Sequence, residues 1–165
     1  LYQKNIISGL GENRFGPNSP VTREQFVKMM LISLEFGIED GSTEFSDADQ
    51  EAWYGKYIYS GYKTGLVQGV SATEFGIGRQ ITRQDMMVML YRALVKKEIA
   101  LKLSDGVSFE DGSDIAAYAN EAARVMAANG IISGNEQNML LPGNNATRGY
   151  LVTADLFQPK YLLNR

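Results

Sequence analysis

One pattern occurs three times in this 165-residue chain, in one internal register. In the middle copy, Gly65-Leu66-Val67-Gln68-Gly69 is followed by Phe75, by Ile81-Thr82-Arg83-Gln84-Asp85 and by an apolar run opening on Met86-Met87. The first copy reads Ile6-Ile7-Ser8-Gly9, Phe15 and Val21-Thr22-Arg23-Glu24-Gln25. The third reads Gly130-Ile131-Ile132-Ser133-Gly134, Leu140 and Ala146-Thr147-Arg148-Gly149-Tyr150. Thirteen residues separate Gly9 from Thr22, Gly69 from Thr82 and Gly134 from Thr147, and the arginines stand 60 and then 65 apart. Repeats of this length are supersecondary units that lean on their neighbours, so the three copies are expected to form one body.

Each copy predicts a short helix, a Gly-bounded loop and a longer helix. Thr22 reads as an N-cap with Gln25 completing a capping box. Phe26, Val27, Met30, Leu31 and Leu34 then fall at helical spacing, and Gly37 is the expected stop, which gives a helix over about 22–36. Thr82 caps a second long helix with a stripe of Met86, Met87, Leu90, Leu94 and Val95, and Thr147 starts a third. Gly149 inside its first turn and Pro159 beyond it make this third copy the degenerate one. Short helices precede the loops: one carries Trp53, Tyr54, Tyr57, Ile58 and Tyr62, the other Tyr118, Ala119, Ala122, Ala123, Val125 and Met126. Phe45-Ser46-Asp47 and Phe109-Glu110-Asp111 open copies two and three. The matching element of copy one would fall upstream of Leu1, so the first repeat is expected to be incomplete. The repeats run over about 1–40, 41–101 and 102–165 of a single all-α domain, whose three long helices are expected to surround a common pseudo-threefold axis.

Composition narrows the function. A hydrophobic content of 44% with four Pro suits a compact globule. The absence of Cys and His removes thiolate nucleophiles, Ser-His-Asp triads and nearly every zinc site. A net charge of −3 without a basic block makes nucleic acid an unsuitable partner. No apolar run approaches the roughly 20 residues of a membrane span. Leu1-Tyr2-Gln3-Lys4 has no signal-peptide character, so an export signal is expected outside this segment. No acid recurs at one register in all three copies, which argues against a two-carboxylate glycan hydrolase. Asp47, Asp49 and Glu51 resemble the start of a calcium loop but lack its Gly and its bidentate Glu, so neither a metal nor any other cofactor is expected.

Among the repeated residues, the Thr has a sufficient role as a cap. The Arg does not, because a cation in a helix's first turn opposes the macrodipole. Two explanations stay open. One is a salt bridge to an acid such as Asp47 or Asp111. The other is an anion site in which an exposed guanidinium sits beside free helix N-terminal amides. The Gly residues serve backbone geometry, and the Met residues fill the core. Trp53 and Tyr118, on helical apolar faces, are expected to pack inside, while Tyr54 and Tyr57 could offer rings to sugar faces.

Phe-x-Asp, an aromatic on a short helix, Gly-hydrophobic-hydrophobic-x-Gly, an aromatic, then hydrophobic-Thr-Arg and a long apolar helix together resemble the S-layer homology (SLH) domain. The resemblance spans essentially the whole chain. It implies a pseudo-threefold helical domain with grooves between motifs. It also implies an extracellular, non-catalytic role: anchoring an exported bacterial protein to cell-wall polysaccharide, often a pyruvylated secondary polymer. The residues it points to are Arg23, Arg83 and Arg148, with Thr22, Thr82 and Thr147, Gln25 and Asp85. To these it adds the loop pairs Ser8 and Gly9, Gln68 and Gly69, and Ser133 and Gly134. The family's usual Thr-Arg-Ala-Glu keeps its acid here only as Asp85, so the third motif departs most. The alternative reading is a structural self-assembly module with internal Arg salt bridges. A monomer is expected for an intact domain, and a dimer or swap if half a repeat is missing.

Overall fold

The computed structural model describes residues 16–103 and 108–153. The expectations placed on Ser8, Gly9, Phe15, the opening half-repeat and Pro159 lie outside these residues. The described residues are helical: α1 (Arg23–Ser33), α2 (Gly55–Lys63), α3 (Arg83–Lys96), α4 (Asn120–Ala128) and α5 (Arg148–Thr153), with short 3-10 turns at Gly112–Asp114 and Ala117–Ala119 and no strand. The first two long helices each pack on the short helix of the next copy, α1 on α2 and α3 on α4, and α1 touches α3. Phe26, Met30, Leu31, Ile58, Leu66, Phe75, Met86, Met87, Leu90 and Met126 are fully enclosed, so both the helical stripes and the repeated loop aromatic supply the core.

The copies are joined at the residue before each Thr. Val21 N–H donates to the Ala146 carbonyl (3.0 Å), Ala146 N–H to that of Ile81 (2.8 Å) and Ile81 N–H to that of Val21 (2.9 Å), which closes a ring of three. A second set surrounds it. The amides of Arg23, Arg83 and Arg148 donate to the carbonyls of Arg79 (2.9 Å), Asn144 (2.8 Å) and Ser19 (3.0 Å). The first amide of a helix has no partner within its own helix. Here each repeat's loop supplies the acceptor for another repeat's helix. The ring ties the three copies together at this junction, while the course of the third helix beyond Thr153 lies outside the described residues.

This arrangement corrects one expectation directly. The first amide of each long helix is not free to hold an anion. Besides the amides of the three arginines, Gln84 N–H donates to Pro142 O at 3.0 Å and Gly149 N–H to Pro17 O at 2.7 Å. Thr82 Oγ1 accepts from Asp85 N–H and Thr147 Oγ1 from Tyr150 N–H, each at 3.2 Å. Thr22 and Gln25 form the expected capping box, with Thr22 N–H donating to Gln25 Oε1 at 3.2 Å. Gly149 also has a packing role, since a Cβ there would stand 3.0 Å from the Pro17 carbonyl oxygen. A residue that reads as decay of the motif is one that close approach requires.

The end of α1 differs from the expected stop at Gly37. The helix closes at Ser33, and Glu35 takes the left-handed conformation (φ 54°), with Phe36 N–H returning to Leu31 O at 2.9 Å. Glu98 repeats this after α3 (φ 56°), with Ile99 N–H on Leu94 O at 3.1 Å. The short helices end on the same turn but use Gly65 (φ 76°) and Gly130 (φ 66°). A left-handed non-Gly residue costs roughly 1–2 kcal/mol. Exposed Glu98→Gly is therefore expected to raise stability by about 0.5–1 kcal/mol, read as a shift in denaturation midpoint. A fall in the midpoint would show that the Glu side chain makes up for its backbone strain.

Candidate functional site

The groove with the richest chemistry encloses about 360 Å³ between the copies and is lined by Arg23, Gln68, Gly69, Asp85, Arg92 and Tyr118, with an apolar wall of Val70, Val88 and Met89. Three repeats build it: the Arg of the first, the loop and long helix of the second, and the aromatic of the third. Four sequence candidates meet here: Arg23, Gln68, Gly69 and Asp85.

Arg23 is 4% exposed, which corrects the expectation of an exposed, weakly paired guanidinium. Its Nη1 pairs with Asp85 Oδ2 at 3.0 Å, Nη2 donates to Gln68 O at 3.1 Å and Nε to Phe75 O at 3.1 Å. The Phe75 ring centroid lies 5.2 Å from Cζ. Burial pulls the Arg23 pKa below its ordinary value and the Asp85 charge offsets part of that. Asp85 Oδ1 accepts from the Tyr118 hydroxyl at 2.6 Å. Burial, this hydrogen bond and the Asp85 charge push Tyr118 up to about 12, so it remains a neutral donor. On the rim, Arg92 Nη2 donates to Gln68 Oε1 at 3.1 Å. Two guanidiniums and one carboxylate thus line the groove.

Asp47 and Asp111 do not pair directly with the arginines. Asp47 accepts from the amides of Phe75 (2.7 Å), Gly76 (2.8 Å) and Ile77 (2.9 Å). Asp111 accepts from Leu140 and Leu141, each at 2.7 Å. Desolvation raises the Asp47 pKa, yet these amides outweigh it and hold the carboxyl below its ordinary range. The acids lie within reach of the loop amides, and a peptide group separates each from its Arg.

Arg83 repeats part of the Arg23 arrangement. Its Nε donates to Leu140 O at 2.7 Å, but its Cζ lies 3.8 Å from the centroid of the Tyr150 ring. Tyr150 holds the register of Asp85, so a stacked ring replaces an ion pair. Burial lowers the Arg83 pKa, and Tyr150 and Asp111 oppose it. Arg148 is held through its amide at the junction, and Ser8 and Gly9 lie outside the described residues. Thr22, Thr82, Thr147 and Gln25 act at helix starts and do not line the groove. Ser133 and Gly134 occupy the third-copy loop, where a Cβ on Gly134 would stand 2.9 Å from the Asn138 carbonyl carbon. Gly69 likewise lies tight against Phe45 and the Ser71 and Glu74 carbonyls, so close approach, not positive φ, requires these second glycines.

Trp53 and Tyr118 are 52% and 59% exposed and are not core residues. The helical-face argument fails because both fall in turns before their helices: α2 begins at Gly55, which has no room for a Cβ against the Gln50 backbone. Their shared register, twelve residues before a Gly, was the available signal that Tyr118 has a repeated role at a surface. Arg92 had no such signal, since Ile32 stands at its register in the first copy.

A family model described as the S-layer homology domain matches residues 1–27, 44–87 and 108–149, and the chain belongs to this family. An endoglucanase of Bacillus sp. (strain KSM-635) is 32% identical over 149 residues, 90% of this chain and 16% of its own length. An amylopullulanase of Thermoanaerobacterium thermosulfurigenes is 30% identical over 149 residues, again 90% of this chain but 8% of the enzyme. A surface-layer 125 kDa protein of Lysinibacillus sphaericus is 31% identical over 138 residues, 84% of this chain and 11% of that protein. The chain thus spans only a small part of each relative. SLH domains are non-catalytic anchoring modules that bind cell-wall polymers, and the family indicates an extracellular, cell-surface location. No helix among the described residues is long and apolar enough to cross a membrane.

Proposed function

We propose that residues 1–165 act as one monomeric domain that anchors an exported protein to an acidic, pyruvylated cell-wall polysaccharide, without catalysis of its own. The observation that carries this reading is the imbalance of charge in the groove: Arg23 and Arg92 against Asp85 alone. A ketal-linked pyruvate has a carboxylate and a methyl group. Arg92 suits the first and the wall of Val70, Val88 and Met89 the second, while Gln68 and Tyr118 offer hydrogen bonds to sugar hydroxyls. Arg83, with its Tyr150 stack and no carboxylate within ion-pair distance among the described residues, supports a second cationic groove. Arg148 would belong to a third. The Arg23–Asp85 bridge is the feature that the alternative, a self-assembly module with internal salt bridges, would share.

Titration with purified wall polymer, native and chemically depyruvylated, tests the proposal. Arg92→Ala is expected to weaken binding of the native polymer by about 1.5–3 kcal/mol, the range for hydrogen bonds to charged groups. Its thermal stability should stay close to wild type, since a partly exposed surface contact contributes little. Equal affinity of wild type for both polymers would overturn the acidic-glycan reading.

A further inference from the structure

The two loops facing Arg23 and Arg83 share a geometry that the ligand reading does not use. In the second copy, the peptide group joining Phe75 to Gly76 lies between opposite charges. Its N–H, on Gly76, donates to Asp47 Oδ2 at 2.8 Å, and its carbonyl, on Phe75, accepts from Arg23 Nε at 3.1 Å. In the third copy, the peptide joining Leu140 to Leu141 does the same. Leu141 N–H donates to Asp111 Oδ2 at 2.7 Å, and Leu140 O accepts from Arg83 Nε at 2.7 Å. Each acid belongs to one repeat and each Arg to the repeat before it. Hydrogen bonds in series through one peptide polarise one another, so each tie is a carboxylate–guanidinium pair with a peptide inserted.

We propose that Asp47 and Asp111 are positioning residues for the groove arginines: each fixes, through one peptide plane, the carbonyl that aims the guanidinium of the preceding repeat. The inference rests on the reading of these grooves as glycan sites, but its geometry can be tested without a ligand. The tie also explains why the Phe-x-Asp element and the Thr-Arg element recur together. The acid is useful only where the loop brings a carbonyl to an Arg. Asn is a poor substitute for Asp47, because Oδ1 serves Phe75 while Oδ2 serves both Gly76 and Ile77, and an amide nitrogen at either place faces a donor.

Asp47→Asn and Asp111→Asn, each in the full chain at neutral pH, separate positioning from a general structural role. The first readout is the arginine Nε–H resonances, recorded by NMR without ligand. Asp47→Asn is expected to shift the Arg23 resonance and speed its exchange with water while leaving Arg83 in place, and Asp111→Asn to do the reverse. The second readout is titration with pyruvylated wall polymer at a temperature where the variant is fully folded. There Asp47→Asn should lose affinity at least tenfold. An unmoved Arg23 resonance in Asp47→Asn, or equal disturbance of both arginines by either variant, would overturn the proposal. If one variant does not fold, the other carries the same test with the arginines exchanged, and failure of both to fold decides for a purely structural role. If wild type does not bind the polymer, the glycan reading fails while the NMR result still decides the positioning.

Discussion

Arg23→Ala is expected to destabilise the fold by about 3–5 kcal/mol, the cost of breaking a buried ion pair from one side. The side chain is almost fully enclosed, and its removal leaves three acceptors unserved: Asp85 Oδ2 and the carbonyls of Gln68 and Phe75. Asp85 keeps the Tyr118 hydroxyl but loses its neutralising charge. Arg83→Ala should cost less. Of the bonds found for Arg23, Arg83 has the counterpart of one, to Leu140 O, and its other main contact is a ring face. Urea denaturation of both variants measures the difference as a shift in midpoint at constant slope. Equal and small losses would mean that Arg23 is held no more firmly than a surface residue. The same result bears on function. Binding data on Arg23→Ala are interpretable only for the folded fraction, which makes Arg92 the cleaner probe of the ligand.

Phe75→Ala is expected to cost about 3–5 kcal/mol, as large-to-small changes in a closed core do. The ring is fully buried, lies 5.8 Å from the Phe45 ring and supports the Arg23 guanidinium. Here the repeats supply an internal control. Leu140 fills the same register in the third copy and is equally enclosed, beneath the Asp111 tie. Phe75→Leu should therefore cost only about 1–1.5 kcal/mol, as shape changes of near-conserved volume do. Thermal melts of the two variants test this. Similar losses in both would show that the aromatic ring itself, and not its volume, is needed at this position.

Much of this architecture was readable from the repeated register. Thr22, Thr82 and Thr147 begin helices, Gly65 and Gly130 end them, and the Met-rich stripes face inward because short-range rules govern all three. What was not readable depends on contacts between copies. The amides of Arg23, Arg83 and Arg148 look like free helix ends until the neighbouring loop carbonyls are in place. Tyr118 looks like a core residue until its turn is seen to meet Asp85, 33 positions away. Glu35 and Glu98 occupy a conformation that sequence assigns to Gly, so α1 ends before Gly37. A salt bridge from the arginines to Asp47 or Asp111 is one of two readings the sequence leaves open, and the peptide that stands between them has no signature in residue type.

If side-chain guanidiniums of the groove, and not helix N-terminal amides, receive an acidic sugar, NMR of the wild-type chain during titration with a pyruvylated disaccharide from the wall polymer will show it. Saturable shifts are predicted at the Arg92 and Arg23 Nε–H groups and the Gln68 side-chain amide, with the backbone amides of Arg23, Arg83 and Arg148 still protected in their carbonyl bonds. Saturable binding that leaves the Arg92 and Gln68 side chains unmoved, or that releases those backbone amides, would contradict it.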